Sequence, residues 1–180
     1  KAISGFTIWL CDDDTREITD FIGIDEQGKR LAFVHAKVGN LAAGGAGYNV
    51  AALQVVGRQA LASLGFLSRG EPSPIWTGAR WRSNVQANAV TLQGRNRIFG
   101  NPQGLSAEGL NIRLCAACRN PSFNKEIWIV GANMTRRADL SAALTSGEPF
   151  DNRLRQFLMH WDALQTACAR ASVRLKFYCL

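Results

Sequence analysis

The feature that most constrains this chain is a predicted β-hairpin that carries three polar side chains among apolar neighbours. Residues 17–38 contain two runs rich in β-branched and aromatic residues, and Gln27-Gly28 between them fits a two-residue turn. With that turn, paired residue numbers add to 55, so Asp20 lies opposite His35, and Lys37 follows on the same face. Burial of these polar groups costs free energy unless they are paired. The pattern therefore indicates a functional site, and a polar cluster that merely orients the hairpin is the alternative.

The hairpin places an acid on one strand and the three-residue segment His35-Ala36-Lys37 on the next. This arrangement resembles the PD-(D/E)xK nuclease motif. Asp20 stands at the first acid and Lys37 at the lysine, while His35 stands where the motif has Asp or Glu. The chain would therefore carry a variant of the form D…HxK. A short motif of this kind is a hypothesis until its structural context is known.

The resemblance continues into a predicted helix over residues 48–67. Some nucleases of this superfamily have a QxxxY pattern on the helix that follows the lysine strand. Gln59 matches its glutamine, and Ser63 stands in place of its tyrosine. The resemblance covers residues 6–67 and implies a restriction-endonuclease-like α/β fold, a mixed β-sheet flanked by helices. It also implies a metal-dependent nuclease in which Gln59 orients the lysine, the attacking water or the substrate phosphate.

Phosphodiester hydrolysis by such a site requires a divalent cation, for which we expect Mn²⁺ or Mg²⁺. Asp20 can supply a carboxylate and Ala36 a main-chain carbonyl, both of which suit hard cations. A neutral imidazole at His35 would bind Mn²⁺ better than Mg²⁺, or the ring could assist the attacking water. Glu17 could add a second carboxylate, but only if a bulge re-aims it, because it lies on the opposite face of an ideal strand. Lys37 can stabilise the charge that develops on the phosphate.

The charge of the chain is unevenly distributed and favours nucleic acid as the partner. The formal net charge is +7, yet residues 1–50 hold five basic and seven acidic residues, and residues 51–180 hold 16 basic and seven acidic ones. An acidic segment that can bind metal beside a basic remainder suits a phosphate-cleaving protein, and DNA is the expected substrate. The candidate nucleic-acid contacts are Arg58, Arg80, Trp81, Arg82, Arg95 and Arg97.

The remaining patterns give a coarse architecture of one domain over residues 1–180. Strands are predicted at 6–11, 18–24, 31–38, 126–132 and 174–180, with a second helix that Asp151 caps and that ends near residue 172. Residues 68–109 read as mostly irregular, with a strand near 88–92, and the CxxC of Cys115 and Cys118 reads as part of a loop. The lone CxxC is weak evidence for zinc, and the odd number of cysteines points to a reducing, cytoplasmic location.

Two other functions compete with the nuclease. One is a catalytically inactive nucleic-acid-binding module of the same fold. The other, which is less favoured, is a Rossmann-like nucleotide or redox protein built on the Gly-rich segment 39–47 and the CxxC. The superfamily resemblance further implies a domain excised from a larger defence or repair protein, with a fused or associated ATPase or helicase. No apolar run predicts a membrane partner, and a homodimer is left open.

Overall fold

The computed structural model describes residues 5–12, 18–40, 47–69, 81–87, 90–100 and 103–179. Those ranges form strands and helices in the order β1 (Ile8–Cys11), β2 (Phe21–Asp25), β3 (Arg30–Val38), α1 (Val50–Arg69), β4 (Asn84–Ala87), β5 (Val90–Asn96), β6 (Ile98–Phe99), α2 (Ala107–Arg119), β7 (Asn124–Ala132), α3 (Arg137–Thr145), α4 (Asn152–Arg170) and β8 (Arg174–Cys179). The chain is therefore an α/β protein, as the sequence predicted.

A mixed six-stranded sheet of order β6-β1-β2-β3-β7-β8 forms the centre of the fold. The strands β1, β2 and β3 pair antiparallel, whereas β7 runs parallel to β3 and β8 parallel to β7. A two-stranded sheet of β4 and β5 stands apart. The β2–β3 hairpin occupies the middle of the main sheet.

The predicted register of the hairpin is confirmed, but its turn is longer than expected. Phe21 pairs with Val34, so paired residue numbers add to 55, and the last pair is Asp25 with Arg30. Four residues connect the strands instead of two. The Asp25 carboxylate accepts a hydrogen bond from the Gly28 N–H at 3.0 Å. Because this side-chain contact stabilises the wider turn, the strands separate one pair earlier without changing register.

One face of the sheet is covered by α1, α2 and α4. Strand alternation directs Leu31 and Phe33 of β3 to this face, where they join a buried cluster with Val56 of α1, Leu114 of α2 and Phe157 of α4. Burial of each such large apolar side chain contributes roughly 1.5–3 kcal/mol. This layer fixes the face of β3 that contacts α1, and hence the surroundings of His35.

The opposite face of the sheet carries a smaller aromatic cluster and a buried carboxylate. Glu126 accepts hydrogen bonds from the Trp128 indole N–H at 2.6 Å and from Lys176 Nζ at 2.7 Å, and Arg30 lies 3.7 Å away. The charge of this carboxylate is therefore offset by two cations, as a buried charge requires. The apolar members of this face are Phe6, Trp9, Ala32, Val34, Trp128, Val130 and Tyr178.

Helix α1 runs antiparallel to β3, as contacts at both of its ends establish. Just before the helix, the Asn49 N–H donates to the Met134 carbonyl, and the Asn49 amide bonds Asn40, which lies beyond the end of β3. At the other end, Lys125 Nζ donates to the Leu67 carbonyl at 2.8 Å, and Lys125 pairs with Leu31 near the start of β3. The order of residues along α1 is thus the reverse of that along β3.

Helix α1 is not buried on all sides, although its sequence is apolar around most of its circumference. Its outer face leaves Val55 and Leu61 exposed by 44% and 46%. By length and composition α1 is the one helix in the described ranges that could cross a bilayer. Its opposite face, with Leu53, Val56 and Ala60, is buried against the sheet, so here α1 serves as a core helix.

Two helices were missed in the sequence, and one of them carries the CxxC. The prediction that Cys115 and Cys118 lie in a loop is wrong, because both lie on α2. Ser106 begins that helix by accepting a hydrogen bond from the Gly109 N–H. Burial raises the pKa of the Cys118 thiol to about 12, which disfavours the thiolate that zinc requires. The second missed helix is α3.

Candidate active site

The candidate site lies where the start of β2 adjoins the second half of β3. The Asp20 N–H donates to the Val34 carbonyl at 3.0 Å, and the Ala36 N–H donates to Asp20 Oδ2 at 2.7 Å. The main chain of β2 pairs with β3 only from Phe21 onwards. For the Ala36 N–H, which lies outside that pairing, the Asp20 carboxylate supplies the acceptor. In an antiparallel ladder a residue directs its N–H and C=O towards the same neighbour, so the Ala36 carbonyl also points to the side of Asp20. The two proposed oxygen donors therefore share one edge of β3.

The side chain of His35, the residue before Ala36, points towards α1. It lies on the face of β3 that packs against α1, and the residue is 1% exposed. The Nε2 atom lies 2.9 Å from the Ser63 hydroxyl of α1. Burial lowers the pKa of His35 to about 4, so the ring is neutral at physiological pH. Its Nε2 atom is thus engaged by Ser63, and the role of His35 as a metal ligand stays a prediction.

The antiparallel packing of α1 on β3 places Lys37 and Gln59 on the same side of the contact between His35 and Ser63. Lys37 lies two strand residues, about 6.6 Å, after His35. Gln59 lies one helical turn, about 6 Å, before Ser63 on the same face of α1. Because His35 and Ser63 are in contact and α1 runs antiparallel to β3, Lys37 and Gln59 both lie towards the same end of β3. The two side chains are partly buried, and neither has a hydrogen bond or ion pair with the residues that the structure describes.

A further acidic residue, which is not among the predicted site residues, lies beside the site. Asp12 directly follows β1 and is buried. Its carboxylate accepts hydrogen bonds from the Ile18 N–H at 3.1 Å and from the Trp81 indole N–H at 3.3 Å, and its own N–H donates to the Asp20 carbonyl. Asp12 therefore supports the backbone at Asp20. Its position at the end of a buried apolar strand was the available signal.

The proposed nucleic-acid contacts divide into exposed and buried residues. Arg58 is exposed on α1, and Arg82 is exposed with an ion pair to Glu108. Trp81 is 1% exposed and bonded to Asp12, so it cannot stack on a base in this structure. Arg97 is 5% exposed, with Nε bonded to Ser83 Oγ and Nη1 to the Cys11 carbonyl. Trp81 and Arg97 are thus corrected to internal, structural positions.

Some predicted residues fall outside what the structure describes. Glu17 and Arg80 lie in undescribed segments, and the side chain of Arg95 is likewise outside the described part.

Across the described ranges there is no group of three or more His, Cys, Asp or Glu residues placed to hold a metal. The donors that are described, Asp20 and the Ala36 carbonyl, fit a cation that retains several waters, as Mg²⁺ commonly does.

Comparison with known protein families, with curated proteins and with solved structures finds no match to this chain. The geometry of the residues therefore carries the functional argument.

Proposed function

We propose that this protein is a metal-dependent nuclease that hydrolyses phosphodiester bonds, with DNA as its substrate. The observation that carries the proposal is the contact between the Asp20 carboxylate and the Ala36 N–H. It joins a carboxylate and a main-chain carbonyl at one edge of β3, one residue before Lys37. Gln59 lies on α1, towards the same end of β3. Asp20, Lys37 and Gln59 are also the residues that carry the resemblance to the PD-(D/E)xK superfamily.

Each residue has a distinct role in this proposal. Asp20 and the Ala36 carbonyl would hold a divalent cation, which when bound polarises the phosphate and lowers the pKa of the attacking water. The Lys37 ammonium stabilises the negative charge that develops on the phosphate in the transition state. Gln59, with one carbonyl and one NH₂ group, orients the water or a phosphate oxygen beside Lys37. With oxygen donors alone, Mg²⁺ suits the site as well as Mn²⁺ does, unlike the expectation with His35 as a ligand.

The direct test is cleavage of linear, circular and single-stranded DNA, and of RNA, with Mg²⁺, Mn²⁺ or EDTA. We expect cutting that requires the metal and that Asp20→Asn abolishes. The asparagine retains an acceptor for the Ala36 N–H but removes the charge, so the hairpin should remain folded. Unchanged cutting in Asp20→Asn, or equal cutting in EDTA, would contradict the proposal.

A catalytically inactive nucleic-acid-binding module of the same fold is the second candidate. One observation favours it: Asp20 and His35 both have structural partners, the Ala36 N–H and the Ser63 hydroxyl. Such a module would retard DNA on a gel without cutting it in any metal, and Asp20→Asn would leave that binding unchanged.

The nuclease proposal also includes attachment to an ATPase or helicase within a larger defence or repair protein.

A further inference from the structure

We propose that His35 and Ser63 form a positioning pair that sets α1 in register with β3 and thereby holds Gln59 beside Lys37. This inference rests on the proposed nuclease function and gives His35 a role other than metal ligand or base. It also gives Ser63 a role, which the motif does not suggest. Neither residue would touch the substrate or the metal.

The Ser63 hydroxyl contacts both the His35 ring and the main chain of its own helix. Its oxygen lies 2.9 Å from His35 Nε2 and 2.9 Å from the Ala60 carbonyl oxygen. When the hydroxyl donates its single hydrogen to Ala60, its oxygen accepts from a protonated Nε2, and in the other tautomer of the neutral ring Nε2 accepts from the hydroxyl. Both side chains are buried, and the neutral ring that burial favours is the form that this arrangement uses. A buried hydrogen bond is a stringent geometric constraint, because breaking it leaves a polar atom unsatisfied.

The pair lies where it can control the register of the helix. The surrounding contacts between α1 and the sheet are apolar, with Leu53, Val56 and Ala60 among them. Apolar contacts are non-directional, and the polar contacts of Asn49 and Lys125 lie at the two ends of α1. The His35–Ser63 hydrogen bond adds a directional contact between those ends, close to Gln59. Gln59 is one turn away on α1, so a displacement of the helix would move it relative to Lys37.

The two positions at which the chain departs from the motif are the two members of this contact. His35 stands where an acid is expected, and Ser63 stands where a tyrosine is expected. The pairing thus accounts for both departures with one hydrogen bond.

The test compares His35→Ala, His35→Gln, Ser63→Ala and the double variant His35→Ala/Ser63→Ala. We expect kcat to fall at least about tenfold in His35→Ala and in Ser63→Ala, with no further fall in the double variant, because both remove one contact. The affinity for Mn²⁺ alone, followed by its electron paramagnetic resonance, and the KM for DNA should stay within about twofold. His35→Gln, whose side-chain NH₂ can donate to Ser63, should recover most of kcat.

Three results would overturn the inference. The first is loss of Mn²⁺ affinity in His35→Ala with Ser63→Ala like the wild type, which is the behaviour of a metal ligand. The second is multiplicative losses of kcat in the double variant. The third concerns the free energy of unfolding of the wild type, His35→Ala, Ser63→Ala and the double variant. If the losses of the two single variants add up in the double variant, the residues do not interact. This stability cycle needs no activity, so it tests the contact separately. If the wild type cuts nothing but the cycle shows coupling, the proposed function fails while the contact stands, and the positioning role fails with the function.

Discussion

Acid should destabilise this protein through His35 in a range where few other groups change charge. The pKa of this histidine is lowered from 6.5 to about 4 by burial. The unfolded chain therefore binds a proton between these two values that the folded protein does not, and stability falls as the pH drops through that range. The difference is worth about 3 kcal/mol in total, of which about 2 kcal/mol is lost between pH 7.5 and pH 5. That is a large part of a typical domain stability.

Urea unfolding at pH 7.5, 6 and 5 would measure this effect. The free energy of unfolding of the wild type should fall by about 2 kcal/mol more than that of His35→Gln over this range. The matched control is His160→Gln, which replaces the other histidine of the chain, an exposed one. It should keep the acid sensitivity of the wild type. Equal acid sensitivity in His35→Gln and the wild type would refute the reasoning that His35 is buried and neutral.

Two further predictions concern the ends of helices. Lys125→Met should lower the free energy of unfolding by about 2 kcal/mol, because Lys125 Nζ donates to the carbonyls of Leu67 and Cys118 at the ends of α1 and α2. Urea unfolding measures this loss. A loss below about 0.5 kcal/mol would show that water replaces these hydrogen bonds. Asp151→Ala should lower the free energy of unfolding by about 1 kcal/mol, since the Asp151 carboxylate accepts a hydrogen bond from the Leu154 N–H at 2.7 Å. Asp151→Asn, which keeps an acceptor, should lower it little in thermal unfolding. Equal losses in both variants would argue against a capping role.

The central hairpin could be predicted because local chemistry determines it. Alternating apolar residues fix which side chains share a face, and a turn of two or of four residues gives the same register. The position of α1 also followed from its sequence. By contrast, α2 was missed although Ser106 and the apolar spacing of Leu110, Leu114 and Cys118 are a helix signature. The surrounding Gly, Asn and Arg residues obscured that pattern.

The candidate site was only partly predictable, since some of its contacts are long-range. The Asp20 and Lys37 positions follow from strand register. The contact of His35 with Ser63 joins residues 28 positions apart, and that of Trp81 with Asp12 joins residues 69 apart. Nothing in the local sequence tells whether such a tryptophan faces inward or stacks on a base. Burial of these polar groups depends on partners that only the folded chain supplies.

The measurement that tests the nuclease assignment most directly is single-turnover DNA cleavage by Lys37→Met beside Lys29→Gly. Both variants remove one lysine charge from the same hairpin, and glycine suits the φ of 48° at position 29. We expect metal-dependent cleavage to be lost in Lys37→Met and retained in Lys29→Gly, with both proteins folded. Cleavage by Lys37→Met at the rate of Lys29→Gly would contradict the assignment of the active site to this end of β3.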